Sequence, residues 1–414
     1  CATQNKTWID IWKNIEAAQL IILEGRTPII KEIWKSIKKI RSINPYVKIA
    51  VYGDHVSHFP DETLSHGADY IIKGGDYDYG AAMLIKNLSM GFPPGNKMVE
   101  YKLLDLDRLP FVDRELVDWR NYYESWKKRD VFLWNMSQRG CFFKCVYCAW
   151  AGTFWNNQIR YRSPYNVAEE SFMLHNKYGD LEILDDADLF SFEWGLKFAK
   201  LILQAGLKNK EILWSCQTHP SQIHDLEALK TMRKSGLSVV KLGIESSIDS
   251  SLKVMKKGST RKINERAIRL LQEAKIMVHA NMMLGFPWET KEDVLETMAW
   301  IKKLDPNQAQ FSLLIPYPNT ELWNMAQDND WFIQDKMSWE LYDASFPMLK
   351  MEGLSGAEIV DLYRKCWSSF YLNRRYIWRH IKTIRHWEGL KNLWRGFRSV
   401  YFGHMRAVDR ERKE

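Results

Sequence analysis

Between residues 131 and 314 one pattern recurs: six short apolar runs (131–136, 181–184, 211–215, 238–242, 277–284 and 309–314) are separated by stretches with a single apolar helical face. Those stretches cover 167–178, 192–207, 225–235, 262–275 and 291–304. Short apolar runs suit strands buried on both faces, and neighbouring parallel strands need a crossover between them, usually a helix. The alternation therefore predicts an α/β fold whose parallel sheet curls into a partial (β/α)6 barrel. Chemistry in such a sheet belongs at the C-terminal ends of the strands.

Three further apolar runs, at 19–24, 47–52 and 69–73, precede this region. The first two flank IIKEIWKSIKKI, which places Ile29, Ile30, Ile33, Ile37 and Ile40 on one helical face. Three strands make half of a doubly wound sheet, so a truncated start is expected, with the other half upstream of Cys1. Residues 91–130, with GFPPGN and the Leu109-Pro110 step, are expected to be a linker. The predicted units are thus a partial sheet domain (1–90), the linker (91–130), the barrel (131–330) and a helical C-terminal region (331–414) rich in Trp and Tyr.

Composition narrows the function classes. With 46% hydrophobic and 27% charged residues in 414, the chain is neither disordered nor a disulfide scaffold. No apolar run approaches the ~20 residues of a membrane span, and a cytoplasmic location is expected. The net charge of +8 resides in the tail: residues 371–414 hold 12 Lys/Arg against 4 Asp/Glu. Nucleic-acid binding by the chain as a whole is therefore not expected. Ile377, Ile381, Ile384, Trp387, Leu390, Trp394, Phe397 and Tyr401 recur at helical spacing with basic residues between them. Such a helix can lie on an anionic membrane surface, or pack on the barrel with a solvated cationic face; the second reading is favoured.

Of six cysteines, Cys141, Cys145 and Cys148 fall within eight positions just after the first barrel strand. Such spacing arises by chance on the order of once in a thousand chains. Thiolates are soft ligands that can grip an iron–sulfur cluster. A closed cluster or zinc site wants a fourth ligand, and none lies nearby, so one iron of a four-iron cluster would stay open. The competing, non-catalytic reading is a zinc or electron-transfer module that borrows distant Cys216.

This CxxxCxxC, its position and its open corner resemble the radical S-adenosylmethionine (SAM) superfamily. SQRGCFFKCVYCAW, RYRSPYNVAEE, LEILDDADLF, WSCQTHPSQI, LGIESSIDSSLKVMKKG, MMLGFPWETKEDVLET and FSLLIPYPNTELW resemble, in order, the landmarks of its cobalamin-binding branch. That branch includes the anaerobic magnesium-protoporphyrin ester cyclase and many methyltransferases. The resemblance implies that the three cysteines hold a 4Fe-4S cluster that binds SAM, which is cleaved reductively to a 5′-deoxyadenosyl radical. It also implies a reductant such as flavodoxin or ferredoxin.

The same resemblance places Tyr147 beside the adenine of SAM. Asp185 and Asp186 fall where acceptors of the methionine ammonium lie, with helix capping or loop solvation as the alternative. Glu245 is placed near the ribose or amino group, or else caps the next helix. Gly285, Phe286 and Pro287 match the turn that approaches adenine, which a plain strand–helix turn explains almost as well. Arg160 and Arg162 either meet the SAM carboxylate or support the loop, while Cys216 reads as a buried small hydrophobe.

In the N-terminal unit, Gly53-Asp54 and Gly74-Gly75 fall where the branch has glycine-rich turns for the nucleotide tail of cobalamin. Glu24 or Gly25 stands in place of the expected Ser, and Asp54 in place of a second Gly. His55 and His58 are candidate cobalt ligands, with solvated turn histidines as the commoner case. The expected activity is cobalamin-dependent methyl transfer to an unactivated carbon of a small molecule; the alternative is an oxidative cyclisation or rearrangement of a tetrapyrrole or other metabolite.

Overall fold

A computed structural model describes residues 7–344 and 346–383. Four strands, β1 (Leu20–Glu24), β2 (Lys48–Tyr52), β3 (Tyr70–Lys73) and β4 (Met98–Glu100), form a parallel sheet in the order β1-β2-β3-β4. Helix Ile30–Ile43 crosses over one face, and its Ile30, Ile37 and Ile40 are buried with Ile49 and Val51. The fourth strand corrects the sequence reading, which counted three and assigned its residues to the linker. With three residues, Met98–Glu100 is too short to show alternation.

The barrel holds β5 (Val131–Asn135), the antiparallel hairpin β6 (Gln138–Gly140) and β7 (Ile159–Tyr161), then β8 (Leu181–Asp185), β9 (Ile212–Thr218), β10 (Leu237–Glu245), β11 (Met277–Leu284) and β12 (Gln308–Leu313). Its six long strands are parallel in the order β12-β11-β10-β9-β8-β5, a curled open sheet as predicted. Five helices cover the outside, and each starts on a side-chain cap: Ser163, Ser191, Asp225, Thr260 and Thr290 accept from a backbone N–H one turn ahead. Alternate strand residues such as Val240, Leu242, Val278 and Ala280 enter the helix-side core, so their neighbours face the lumen.

Helix Gly356–Tyr371 covers the β12 edge, where the Tyr371 hydroxyl donates to the Ala309 carbonyl (2.6 Å) and accepts from the Ala309 N–H (3.2 Å). A paired edge is protected from strand addition. Helix Arg374–Thr383 opens the basic tail, with Arg379 paired to Asp305 at 3.0 Å. The remainder of the tail, from Ile384 onward, lies outside the described residues. Among the described residues no helix is long and apolar enough to cross a membrane.

Candidate functional site

The cysteine loop leaves the β6–β7 hairpin at the C-terminal mouth of the barrel, and Cys148 begins helix Ala149–Trp155. Backbone bonds strap the loop down: Val146 N–H to the Met255 carbonyl (3.0 Å), Leu322 N–H to the Val146 carbonyl (2.9 Å) and Cys148 N–H to the Cys145 carbonyl (3.0 Å). All three thiols are half-buried; the charges of Cys145 and Cys148 act on Cys141, and that of Cys148 acts on Cys145. Burial pushes the Cys141 thiol up to about 12, an environment that favours a thiol until a cation arrives. Among the described residues no three His, Cys, Asp or Glu are arranged around a single metal ion. A four-iron cluster takes each thiolate at a different iron, so a wider triangle is what it requires. Cys216, by contrast, belongs to the core on the helix side of the sheet.

The hairpin that feeds the loop is aimed by carboxylates. Asp185 Oδ1 accepts the Ser137 N–H at 3.0 Å and Asp188 Oδ2 the Gly140 N–H at 2.7 Å. Burial raises the Asp185 carboxyl to about 6, against the bonds from Ser137 that lower it. The pair predicted from sequence therefore splits. Asp185 is engaged by the chain itself, whereas Asp186 opens to the lumen, where partial burial raises its carboxyl against the opposing charge of Lys241. Phe286 is fully buried in a core that also contacts Tyr147, so this turn offers a ligand its backbone at Gly285 (φ +94°) and the flanking Pro287.

Glu245 ends β10 with φ +65°, a left-handed backbone rarely adopted outside glycine. Its Oε1 lies 2.9 Å from Lys257 Nζ, which also donates to the Tyr147 hydroxyl at 3.3 Å. Arg162 turns away to buried Glu170 (2.7 Å), and Arg160 reaches Asp76 of the N-terminal unit. Both arginines support the loop from outside.

Inside the barrel, strand register aligns Gln217, Lys241, His279 and Gln308 across β9 to β12, and Asp186 continues the row past the end of β8. Glu124 and Trp126, from the segment before β5, close on this row: Glu124 lies 3.9 Å from Lys241, and the Trp126 ring meets His279 edge-on at 5.3 Å. Sequence reading missed the row. Its signal was Lys241 and His279, polar residues inside runs read as apolar, while Asp186, Gln217 and Gln308 lie just outside such runs.

The C-terminal edge of the N-terminal sheet abuts the helix that follows Cys148. His58 Nε2 lies 2.9 Å from Thr153 Oγ1, and a Cβ at Gly75 would fall 2.4 Å from the Trp155 ring. Gly53 (φ +132°) passes so close to Gly25 that a Cβ would be 2.5 Å from its carbonyl oxygen. Asp54 Oδ2 accepts both the N–H and the hydroxyl of Thr27. His55 is fully buried against Trp339, and Gly74 (φ +83°) has no atom closer than 3.5 Å to an added Cβ. Of the four turn residues expected at cobalamin, three are thus engaged by the chain's own atoms.

A half-barrel with three thiols on one loop at its mouth, and no fourth cysteine beside them among the described residues, suits a cluster with one open iron. Residues 135–301 match the Radical SAM superfamily. That match makes this part of the chain a radical SAM domain, and the protein an enzyme. An uncharacterized methyltransferase of Pyrococcus horikoshii is 28% identical over 422 residues, spanning 96% of this chain and 89% of that protein. The anaerobic magnesium-protoporphyrin IX monomethyl ester cyclase of Cereibacter sphaeroides is 32% identical over 349 residues, 81% of this chain; the match spans only 53% of the cyclase. Two solved structures share the fold. The radical SAM methyltransferase TsrM of Kitasatospora setae, with tryptophan and a SAM analogue bound, gives a TM-score of 0.62 at 19% identity, covering 78% of this chain and 68% of that one. The cobalamin-dependent SAM radical enzyme OxsB, with aqua-cobalamin and SAM bound, gives 0.67 at 14% identity, covering 97% and 65%.

Proposed function

We propose that the chain is a cobalamin-dependent radical SAM methyltransferase acting on an unactivated carbon of a small molecule. The observation that carries the radical chemistry is the trio Cys141, Cys145 and Cys148, half-buried on one strapped loop at the barrel mouth. The donor set fits a four-iron cluster with one open corner. Bound there, the cluster supplies the electron that cleaves SAM. Asp186, and Glu245 through the oxygen that Lys257 does not take, accept from SAM or substrate, while Asp185 serves Ser137. The row from Asp186 through Lys241 to His279 then holds the substrate's polar groups, and Trp126 excludes water behind it.

Cobalamin, when bound, supplies a methyl carrier. The assignment rests on the position of the sheet edge beside the cluster helix and on the likeness to OxsB and TsrM, not on Gly53 or Gly75. Oxidative cyclisation is the second reading, favoured by the ester-cyclase relative. Product analysis separates them. Methyl transfer releases S-adenosylhomocysteine together with 5′-deoxyadenosine, whereas cyclisation releases 5′-deoxyadenosine alone. Titration with hydroxocobalamin tests the carrier: failure to bind in an otherwise folded, cluster-loaded protein removes the methyl-transfer reading.

A further inference from the structure

Lys257 is 6% exposed, an unusual state for a lysine. It is fixed at both ends to the cysteine loop. Its ammonium bonds to Glu245 and to Tyr147, which stands between Cys145 and Cys148 in the sequence. Its carbonyl accepts from His219 Nε2 at 2.9 Å, and the His219 ring stacks on Phe143 of the loop at 4.0 Å. The next residue, Gly258, leaves room for the same Phe143 ring, 3.0 Å from where a Cβ would stand.

Glu245 reaches this lysine by an irregular path. The β10–β11 register shifts between Gly243 and Glu245, and the side chain folds back over Gly243, where a Cβ would lie 2.8 Å from both Glu245 Oε1 and Lys257 Nζ. A glycine, a register shift and a left-handed glutamate thus combine to seat one buried ion pair. Stability does not account for it, since a buried pair seldom outperforms apolar packing of the same volume. Backbone strain of this kind clusters at functional sites.

We infer that Lys257 is a positioning residue with a charge role: it holds the Glu245 carboxylate at the cysteine loop and sets a permanent positive charge beside the cluster thiolates. The inference rests on the radical SAM reading above. A cluster on three thiolates gains negative charge on reduction, so a nearby cation in a water-poor site favours the reduced form. Glu245 offsets part of that cation. The two residues should therefore move the cluster's potential in opposite directions.

The test is anaerobic redox titration of the reconstituted protein, followed by electron paramagnetic resonance, with SAM binding measured in parallel. Lys257→Met should keep wild-type iron and sulfide, shift the midpoint negative and weaken SAM binding about tenfold. Lys257→Arg should restore both. Glu245→Gln, which leaves the lysine uncompensated, should shift the midpoint positive. Should Lys257→Met fail to fold or load, the positive shift of Glu245→Gln still decides the matter. Midpoints that stay put, or move the same way in both variants, overturn the inference. A wild-type protein that loads no cluster overturns the radical SAM reading itself, which is a different result.

Discussion

Asp76 and Arg160 meet through two hydrogen bonds, Nη1 to Oδ2 and Nη2 to Oδ1, each 2.9 Å long. Arg139, the cross-strand neighbour of Arg160 on the cluster hairpin, adds a third at 2.9 Å. Asp76 follows Gly74-Gly75, so the turn that ends β3 is riveted to the hairpin that presents the cysteines. Losing one partner of a buried pair costs about 3–5 kcal/mol when the other is left uncompensated; here Arg139 keeps Asp78, whereas Arg160 loses its carboxylate. Asp76→Ala should lose stability on that scale in chemical denaturation, and an unchanged midpoint would show that the rivet is idle.

Gly75 answers to Trp155. An added methyl meets the ring at 2.4 Å, and overpacking of this kind costs about 1–3 kcal/mol. Gly75→Ala should be destabilised by that amount, and much less so when Trp155 is shortened to Leu in the same chain. A double-mutant cycle measures the coupling, and simple additivity would mean that the glycine serves something other than the tryptophan.

Cys141→Ala, Cys145→Ala and Cys148→Ala should each lower iron and sulfide after reconstitution to near background. Cys216→Ala should leave both unchanged, since that thiol is buried on the helix side of β9. Tightly held zinc without sulfide would favour the non-catalytic alternative.

Burial pushes His55 down to about 3, so it is neutral in the folded protein. The unfolded chain protonates it near 6.5. Its contribution to stability is therefore whole above about pH 6.5 and is lost as pH falls from there toward 3, by about 1.4 kcal/mol per unit. His55→Phe should flatten the acid side of the stability profile between pH 4 and 6.5. Equal slopes in both proteins would mean that the imidazole is solvated or already paired as a cation.

The barrel was legible because short apolar runs alternate there with stretches that carry a single apolar helical face. The cysteine trio was legible because its ligands are close in sequence. Residues that meet only through folding were not. Lys257 reaches Glu245 across a loop, Asp76 finds Arg139 and Arg160 from another unit, and Lys241 joins His279 through strand register. Asp185 and Asp186 looked equivalent in sequence, yet one step along a strand end turns one toward Ser137 and the other into the lumen. Met98–Glu100 stayed hidden because three residues carry no period.

The most direct test of the account is SAM cleavage under anaerobic conditions, with dithionite as electron donor and the reconstituted protein as catalyst. The account predicts 5′-deoxyadenosine from the wild-type protein and none above background from Cys141→Ala, Cys145→Ala or Cys148→Ala. A wild-type protein that carries its full complement of iron and sulfide, binds SAM and still releases no 5′-deoxyadenosine would contradict it.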